Sequence, residues 1–130
     1  MAILTTVRRV SGLAFFIAGI PKFSSHSFEV SHFTTYGLPH PSAFVYLIGA
    51  LEIAGGLMLL ANVGVRPAAL LLGAIMVGAI VVSGFGQGEV VPSLTVAPVL
   101  LAAMAFLLWS AEAEGSGRRG NRLRSRPAPR

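Results

Sequence analysis

The chain has 130 residues, of which 54% are hydrophobic and only 12% are charged, and its mean hydropathy is +0.74. A chain of this size and apolarity does not fit a soluble domain, so we expect an integral membrane protein. The sequence contains no cysteine, which excludes disulfides, thiol redox chemistry, and thiolate-bound metals or iron–sulfur clusters held by this chain alone. Any redox role therefore needs a borrowed cofactor.

Four apolar segments, each about long enough to cross a bilayer as a helix, cover residues 3–20, 42–61, 67–83 and 93–110. Between the first two lies a polar stretch that is long enough for a short helix at the membrane interface. Its aromatic residues Phe28, Phe33 and Tyr36 are expected to dip into the headgroup region. The predicted fold is all-α: a four-helix transmembrane bundle within residues 1–112, with a short interfacial helix between spans one and two.

Residues 113–130 are rich in glycine, proline and arginine, a composition that cannot bury a core, so they are predicted to form a basic, disordered tail. The tail lacks the interleaved aromatic residues typical of a nucleic-acid site, and we do not expect it to bind nucleic acid. A topology signal with some attraction to anionic lipid headgroups is the better interpretation.

The basic residues are distributed unevenly between the two sides of the predicted bundle. Arg8, Arg9, Arg66 and the arginines of the tail fall on the side of the termini, whereas Lys22 falls on the other. This pattern predicts a multi-pass protein of a bacterial-type plasma membrane with both termini in the cytoplasm. A cleaved signal peptide is not expected, because no small-x-small cleavage site follows the first span and its removal would spoil the charge asymmetry.

Glu52 is an ionisable residue near the middle of the second span, where a charge is costly and usually has a reason. Its neighbours on the same helical face are Ile48, Gly49, Gly55 and Gly56. Such a glycine groove lets another helix approach closely, so the carboxylate is predicted to point into the bundle rather than into lipid.

An arginine of the first span is the predicted partner of Glu52. Counted from the proline boundaries Pro21 and Pro41, Arg9 lies roughly 18 Å deep and Glu52 roughly 16 Å deep at 1.5 Å per residue. Arg8 lies one residue deeper and could also reach the carboxylate, since arginine can hold both carboxylate oxygens. The predicted Arg–Glu pair either fixes helix packing or binds a proton or ligand, and the sequence leaves both roles open.

A series of short motifs resembles the DoxX family of small four-helix membrane proteins. The motifs are Arg9-x-x-Gly12-x-x-Phe15-x-x-x-Gly19-x-x-Lys22-Phe23, Gly37-Leu-Pro39, Gly49-x-x-Glu52-Ile-Ala-Gly-Gly-Leu, Arg66-Pro-Ala-Ala-Leu and Met76-Val-Gly-Ala-Ile80. The resemblance implies a four-helix bundle and an association with membrane redox chemistry, quinone-linked or connected to thiol and oxidative stress. Many family members carry a histidine just after the third span, where this chain has Ser83.

Beside the charge pair, Lys22, Gly49, Gly55 and Gly56 are candidates for residues near a ligand, although an interfacial anchor is the better interpretation of Lys22. His26, Glu29 and His32 follow one another at three-residue steps, which spreads them over a wide arc of a helix, so no metal site is predicted. No catalytic residue is predicted, because the sequence contains no nucleophile paired with a base, no intramembrane haem-ligand pair and no phosphate loop.

Three functions are compatible with these features. The first is an accessory subunit of a membrane redox assembly, in which the chain binds no cofactor alone but could border a quinone. The second is a small-molecule or lipid transporter, and the third is a ligand-free membrane scaffold. Membrane lipids and either protein partners or further copies of the chain are the expected partners, and we do not expect the chain to be an enzyme on its own.

Overall fold

The computed structural model describes residues 2–85, 96–125 and 127. Its helices are α1 (Ala2–Gly19), α2 (Pro21–Ser24), α3 (His26–Thr35), α4 (Pro41–Ala61), α5 (Val65–Ala79) and α6 (Val96–Arg124), and a π-helical turn, Ile80–Phe85, follows α5. Four helical segments are long and apolar enough to cross a membrane: Ala2–Ser24, Pro41–Ala61, Val65–Ser83 and Val96–Arg124. The predicted all-α, four-span bundle is confirmed, and α3 is the short helix expected between the first two spans.

The four long helices form a closed bundle in which each packs against its neighbours in sequence, and α6 also contacts α1. Side chains from all four helices meet in the centre, where Phe15, Leu59, Leu72 and Met104 are fully buried. Helix α3 lies outside this ring and packs against α4. Because the helices run up and down, the start of α1, the α4–α5 turn and the end of α6 share one end of the bundle, here called the terminal end. The opposite end, with α2 and α3, is called the α3 end.

Helices α1 and α4 make the closest contact of the bundle, through glycines on both sides. A Cβ atom on Gly12 would lie 2.9 Å from the Gly56 carbonyl oxygen, and one on Gly19 would lie 2.8 Å from the Gly49 carbonyl oxygen. The two backbones therefore touch without intervening side chains, which is the arrangement that small residues permit between membrane helices. These contacts fix how far one helix is shifted along the other.

The helix α6 continues to Arg124, although residues 113–124 were predicted to be disordered. The prediction is wrong for this segment because the apolar span supplies an already formed helix, and adding residues to an existing helix is much easier than starting one. Ala111, Glu112, Ala113 and Glu114, which come first after the span, also favour the helix. The predicted start of this span at residues 93–95 lies outside the described residues, as do positions 126 and 128–130 of the predicted tail.

Candidate functional site

Glu52 forms an ion pair with Lys22. The Lys22 ammonium nitrogen lies 3.1 Å from Glu52 Oε2, and the two side chains are only 12% and 5% exposed. Among the described residues Oε2 has no donor in good hydrogen-bond geometry, so the attraction of the ammonium must compensate for the burial of this oxygen. The same ammonium donates a hydrogen bond to the Ala18 carbonyl oxygen at 3.2 Å. Even with a second N–H directed toward the Glu52 carboxylate, one of its three donors is left for another group.

The structure does not bring either predicted arginine to Glu52. The Arg8 guanidinium donates hydrogen bonds to the carbonyl oxygens of Leu59 and Leu60 at the C-terminal end of α4. Arg8 thus binds carbonyl oxygens of the last turn of α4, where the Leu59 oxygen also accepts from the backbone N–H of Asn62 at 3.3 Å, and this capping of the helix end is a structural role. Arg9 is exposed on the outer side of α1. The predicted Arg–Glu pair is corrected to Lys22–Glu52.

The error came from the register between α1 and α4. The sequence prediction placed Pro21 and Pro41 at the same level, but the glycine contacts place Glu52 near the level of Ala18. Arg9 is nine residues from Ala18, which corresponds to roughly 13 Å along a helix at 1.5 Å per residue. Lys22 lies about one turn beyond Ala18 and can reach back, because a lysine side chain extends several ångströms from its backbone.

Gly49 provides the space that the Lys22 side chain needs. A Cβ atom on Gly49 would lie 2.8 Å from the Cβ of Lys22 and 3.0 Å from the ring of Phe23. The glycine is one turn from Glu52 on the same face of α4, so the lysine passes over it to the carboxylate. Gly56 contacts α1, and Gly55 faces Leu72 of α5. Of the four predicted ligand-proximal residues, Lys22 lines the cavity described next, and the three glycines pack helices.

A cavity of about 730 Å³ lies at the α3 end, between α3, α4, α5 and the π-helical turn. Its wall toward the bundle is apolar and includes Phe44 and Ile48 of α4 and Ile75 of α5. Small residues of α5 keep the cavity wide, among them Ala74, Gly78 and Ala79. Lys22 also lines the cavity, so the buried ion pair stands at its edge.

Polar groups reach the cavity mainly from α3. Glu29, His32 and Tyr36 line it, together with the rings of Phe28 and Phe33. Across the cavity stands Ser83 of the π-helical turn, whose hydroxyl donates to the Ala79 carbonyl oxygen at 2.7 Å. The π-helical geometry is rare and often occurs at functional sites. The aromatic residues expected at the lipid headgroups thus form part of the cavity wall.

The three residues weighed as a metal set lie in different surroundings. Glu29 and His32 line the cavity, whereas His26 is stacked on the Tyr46 ring, with ring centroids 3.7 Å apart. Both nitrogens of His26 are also engaged, one with the Lys22 carbonyl oxygen at 3.0 Å and the other with the Ser42 hydroxyl at 2.9 Å. In the part of the chain that the structure describes, no group of three potential ligands is close enough to hold a metal.

The cavity is suited to a ligand with a polar head and an apolar body. Its volume falls within the range of roughly 300–1,000 Å³ common for small-molecule sites, and a few polar groups converge on an otherwise apolar wall. The sequence pointed to Lys22 but missed the roles of Glu29, His32 and Phe44. The signal for Glu29 and His32 was weak, because polar and aromatic residues on one face of α3 are equally typical of a helix lying on a membrane surface, and Phe44 is one apolar residue within an apolar span.

Comparisons with known proteins agree with the architecture. A sequence model of the DoxX family matches residues 3–84. Over 75 residues the chain is 31% identical to a protein named "Putative oxidoreductase CatD" from Bacillus subtilis (strain 168), and this match covers 58% of the chain and 54% of that protein. The match therefore spans about half the length of that relative. No solved structure matches the chain.

The matched residues 3–84 contain α1 to α5, both members of the ion pair and every residue that lines the cavity. The family match thus covers more than half of the chain, including its candidate site. The protein belongs to the DoxX family.

Proposed function

We propose that this membrane protein is an accessory subunit of a redox assembly and that its cavity holds the head group of a quinone. The observation that carries the proposal is the buried Lys22–Glu52 pair at the edge of an amphipathic cavity of about 730 Å³. Two further facts support a redox role. The Bacillus relative is named as a putative oxidoreductase, and the DoxX family is associated with membrane redox chemistry.

The residues of the cavity fit such a group. A quinone head is a flat ring with two carbonyl oxygens, and it joins an apolar tail that dissolves in the membrane. The remaining donor of the Lys22 ammonium suits a carbonyl oxygen, and the rings of Phe28, Phe33 and Phe44 suit a flat conjugated ring. Aliphatic residues of α4 and α5 supply an apolar wall.

When bound, a quinone supplies two-electron, two-proton redox chemistry. The protein's own residues would bind and orient it: Lys22 would donate a hydrogen bond to a carbonyl oxygen, and the ion pair with Glu52 would hold the ammonium in place. With no cysteine, the chain has no thiolate for an iron–sulfur cluster of its own, so a partner subunit of the assembly carries electrons to or from the site.

The orientation follows from the arginine asymmetry. We infer that the termini face the cytoplasm of a bacterial-type cell, which places α3 and the cavity toward the outer face. In this orientation the site is reached from the outer half of the bilayer.

The proposal is tested by the molecules that co-purify with the protein. The protein is isolated in mild detergent, its bound lipids are extracted, and quinones and phospholipids are quantified by mass spectrometry. Gly78→Leu should remove most of the quinone, because Gly78 lines the cavity and a Cβ atom there meets nothing within 4 Å. The control is Val77→Leu, which places a leucine at the preceding residue, whose side chain is exposed.

Retention of quinone by the wild type and by Val77→Leu, with loss in Gly78→Leu, would support the proposal. If a phospholipid or a soluble metabolite co-purifies in place of quinone and is lost in Gly78→Leu, the redox role is contradicted and a transporter is favoured. If the amounts of all co-purifying molecules are the same in the wild type and in Gly78→Leu, the cavity holds no ligand and a ligand-free scaffold is favoured.

A further inference from the structure

We infer that Glu29 makes the cavity select the reduced form of its ligand, the quinol, over the oxidised quinone. This inference rests on the proposed function and concerns the same site. Glu29 is half-buried and lines the cavity, as Lys22 does. The ligand therefore meets a carboxylate as well as an ammonium.

The polar residues of α3 share one face of that helix. Glu29 and His32 of α3 and Tyr36, the residue just after it, are spaced at three and four residues, which brings them to the same side, and all three line the cavity. His32 and Phe28 pack edge to face with ring centroids 4.6 Å apart, which holds the histidine ring. In the described ranges Glu29 forms no ion pair: the two that the structure contains there join Lys22 to Glu52 and Arg66 to Glu112.

The hydrogen-bonding capacity of these groups distinguishes the two redox forms. A carboxylate only accepts hydrogen bonds and an ammonium only donates them, whereas the tyrosine hydroxyl and neutral histidine can do both. The carbonyl oxygens of a quinone only accept, so they suit Lys22 and repel the lone pairs of the Glu29 carboxylate. The hydroxyl groups of a quinol can donate to Glu29 and accept from Lys22. Only Glu29 therefore discriminates against the oxidised form.

Hydrogen bonds that involve a charged group are among the strong ones in proteins, so we expect quinol to bind about tenfold more tightly than quinone. Selective binding of the reduced form raises the reduction potential of the bound couple. For a two-electron couple, a tenfold preference corresponds to about 30 mV.

The experiment measures two dissociation constants on the same protein. The purified full chain is reconstituted in lipid nanodiscs and titrated anaerobically with decylubiquinone and with its chemically reduced quinol, and binding is followed by calorimetry. The wild type should prefer the quinol. Glu29→Gln should bring the ratio of the two constants close to one, because an amide can donate to a carbonyl oxygen as well as accept from a hydroxyl.

Glu114→Gln is the matched control, since Glu114 is an exposed carboxylate at the terminal end, and it should keep the wild-type ratio. Equal affinities of the wild type for both forms, or an unchanged ratio in Glu29→Gln, would overturn the inference while leaving the proposed quinone site intact. If neither form binds saturably, the proposed function itself fails. The wild-type ratio needs no variant, so a folding defect in Glu29→Gln would not rescue the inference.

Discussion

Lys22 and Glu52 face each other as a buried pair within a mostly apolar bundle, with the ammonium nitrogen 3.1 Å from Glu52 Oε2. Either charge alone would be left buried without compensation, and that is far more costly than removing both. Two further features fix the pair: Gly49 leaves room for the lysine stem, and the Ala18 carbonyl oxygen takes one ammonium proton. The pair also ties the α3 end of the α1–α2 segment to the middle of α4.

A double-mutant cycle tests this dependence. Lys22→Met and Glu52→Gln should each destabilise the protein by about 3 kcal/mol, the lower part of the range for breaking a buried pair. The double variant should cost clearly less than the sum, because it leaves no unpaired charge. Thermal unfolding of the detergent-solubilised protein measures all three changes.

The control cycle uses Arg9→Gln, which changes an exposed arginine of α1. Combined with Glu52→Gln, its effect should be additive. Coupling with Arg9 and additivity with Lys22 would contradict the register that the structure shows.

The site could be only partly predicted at the level of residues. Glu52 is conspicuous in the sequence because an acid within an apolar span is rare and costly. The partner of Glu52 could not be identified from the sequence, because a sequence gives the length of each helix but not its shift along a neighbouring helix. That shift depends on glycine contacts that form only in the packed bundle. Glu29 and His32 gave no clear signal, since a polar face on a short helix fits water, headgroups or a cavity equally well.

At the level of elements, the contact between α1 and α4 determines the register of the bundle. The helices touch at Gly12 against Gly56 and at Gly19 against Gly49, so the backbones themselves limit their approach. Backbone atoms cannot rotate aside as a flexible side chain can. A methyl group added here has to push the helices apart, and the shift would also disturb the Lys22–Glu52 pair.

Two glycine-to-alanine variants separate packing from helix propensity. Gly56→Ala should destabilise the protein by about 1–3 kcal/mol, as overpacking usually does, because its Cβ would lie 2.6 Å from the Gly12 carbonyl oxygen. Gly78→Ala should be neutral or stabilising by up to about 1 kcal/mol, since alanine favours a helix and no atom lies within 4 Å of the new Cβ. Thermal unfolding in detergent compares the two, and equal losses would show that the close contact does not limit stability.

The helices themselves were largely predictable because a bilayer requires long apolar segments, and four such segments stand out in the sequence. The helix ends outside the membrane could not be predicted in the same way. The glycine and arginine content of residues 113–124 argues for disorder, yet the helix propagates through them from the span that precedes them.

For the whole molecule, the structure sharpens the charge asymmetry on which the orientation rests. Arg66 Nη2 lies 3.2 Å from Glu112 Oε1, so the α4–α5 turn and the segment after the apolar part of α6 meet at the terminal end. Arg8 and Arg9 belong to the same end. Lys22, the basic residue counted for the opposite side, is neutralised by Glu52. The unbalanced positive charge is therefore concentrated at the terminal end.

We expect reporters fused at Ala2 and after Arg130 to be active only in the cytoplasm, and a reporter inserted at Ser31 of α3 to be active only outside it. The reason is that positively charged segments next to membrane spans are retained in the cytoplasm. Phosphatase and fluorescent-protein fusions, which are active on opposite sides of the membrane, provide the measurement. Lys22→Gln should leave the pattern unchanged, because it removes a positive charge from the side with fewer of them. Replacing Arg8, Arg9 and Arg66 together by glutamine removes positive charges from the terminal end and should yield a mixture of orientations. Termini on opposite sides of the membrane would contradict the four-span bundle itself. If both termini were external, only the inferred orientation would be contradicted, and the cavity would lie in the cytoplasmic half of the bilayer.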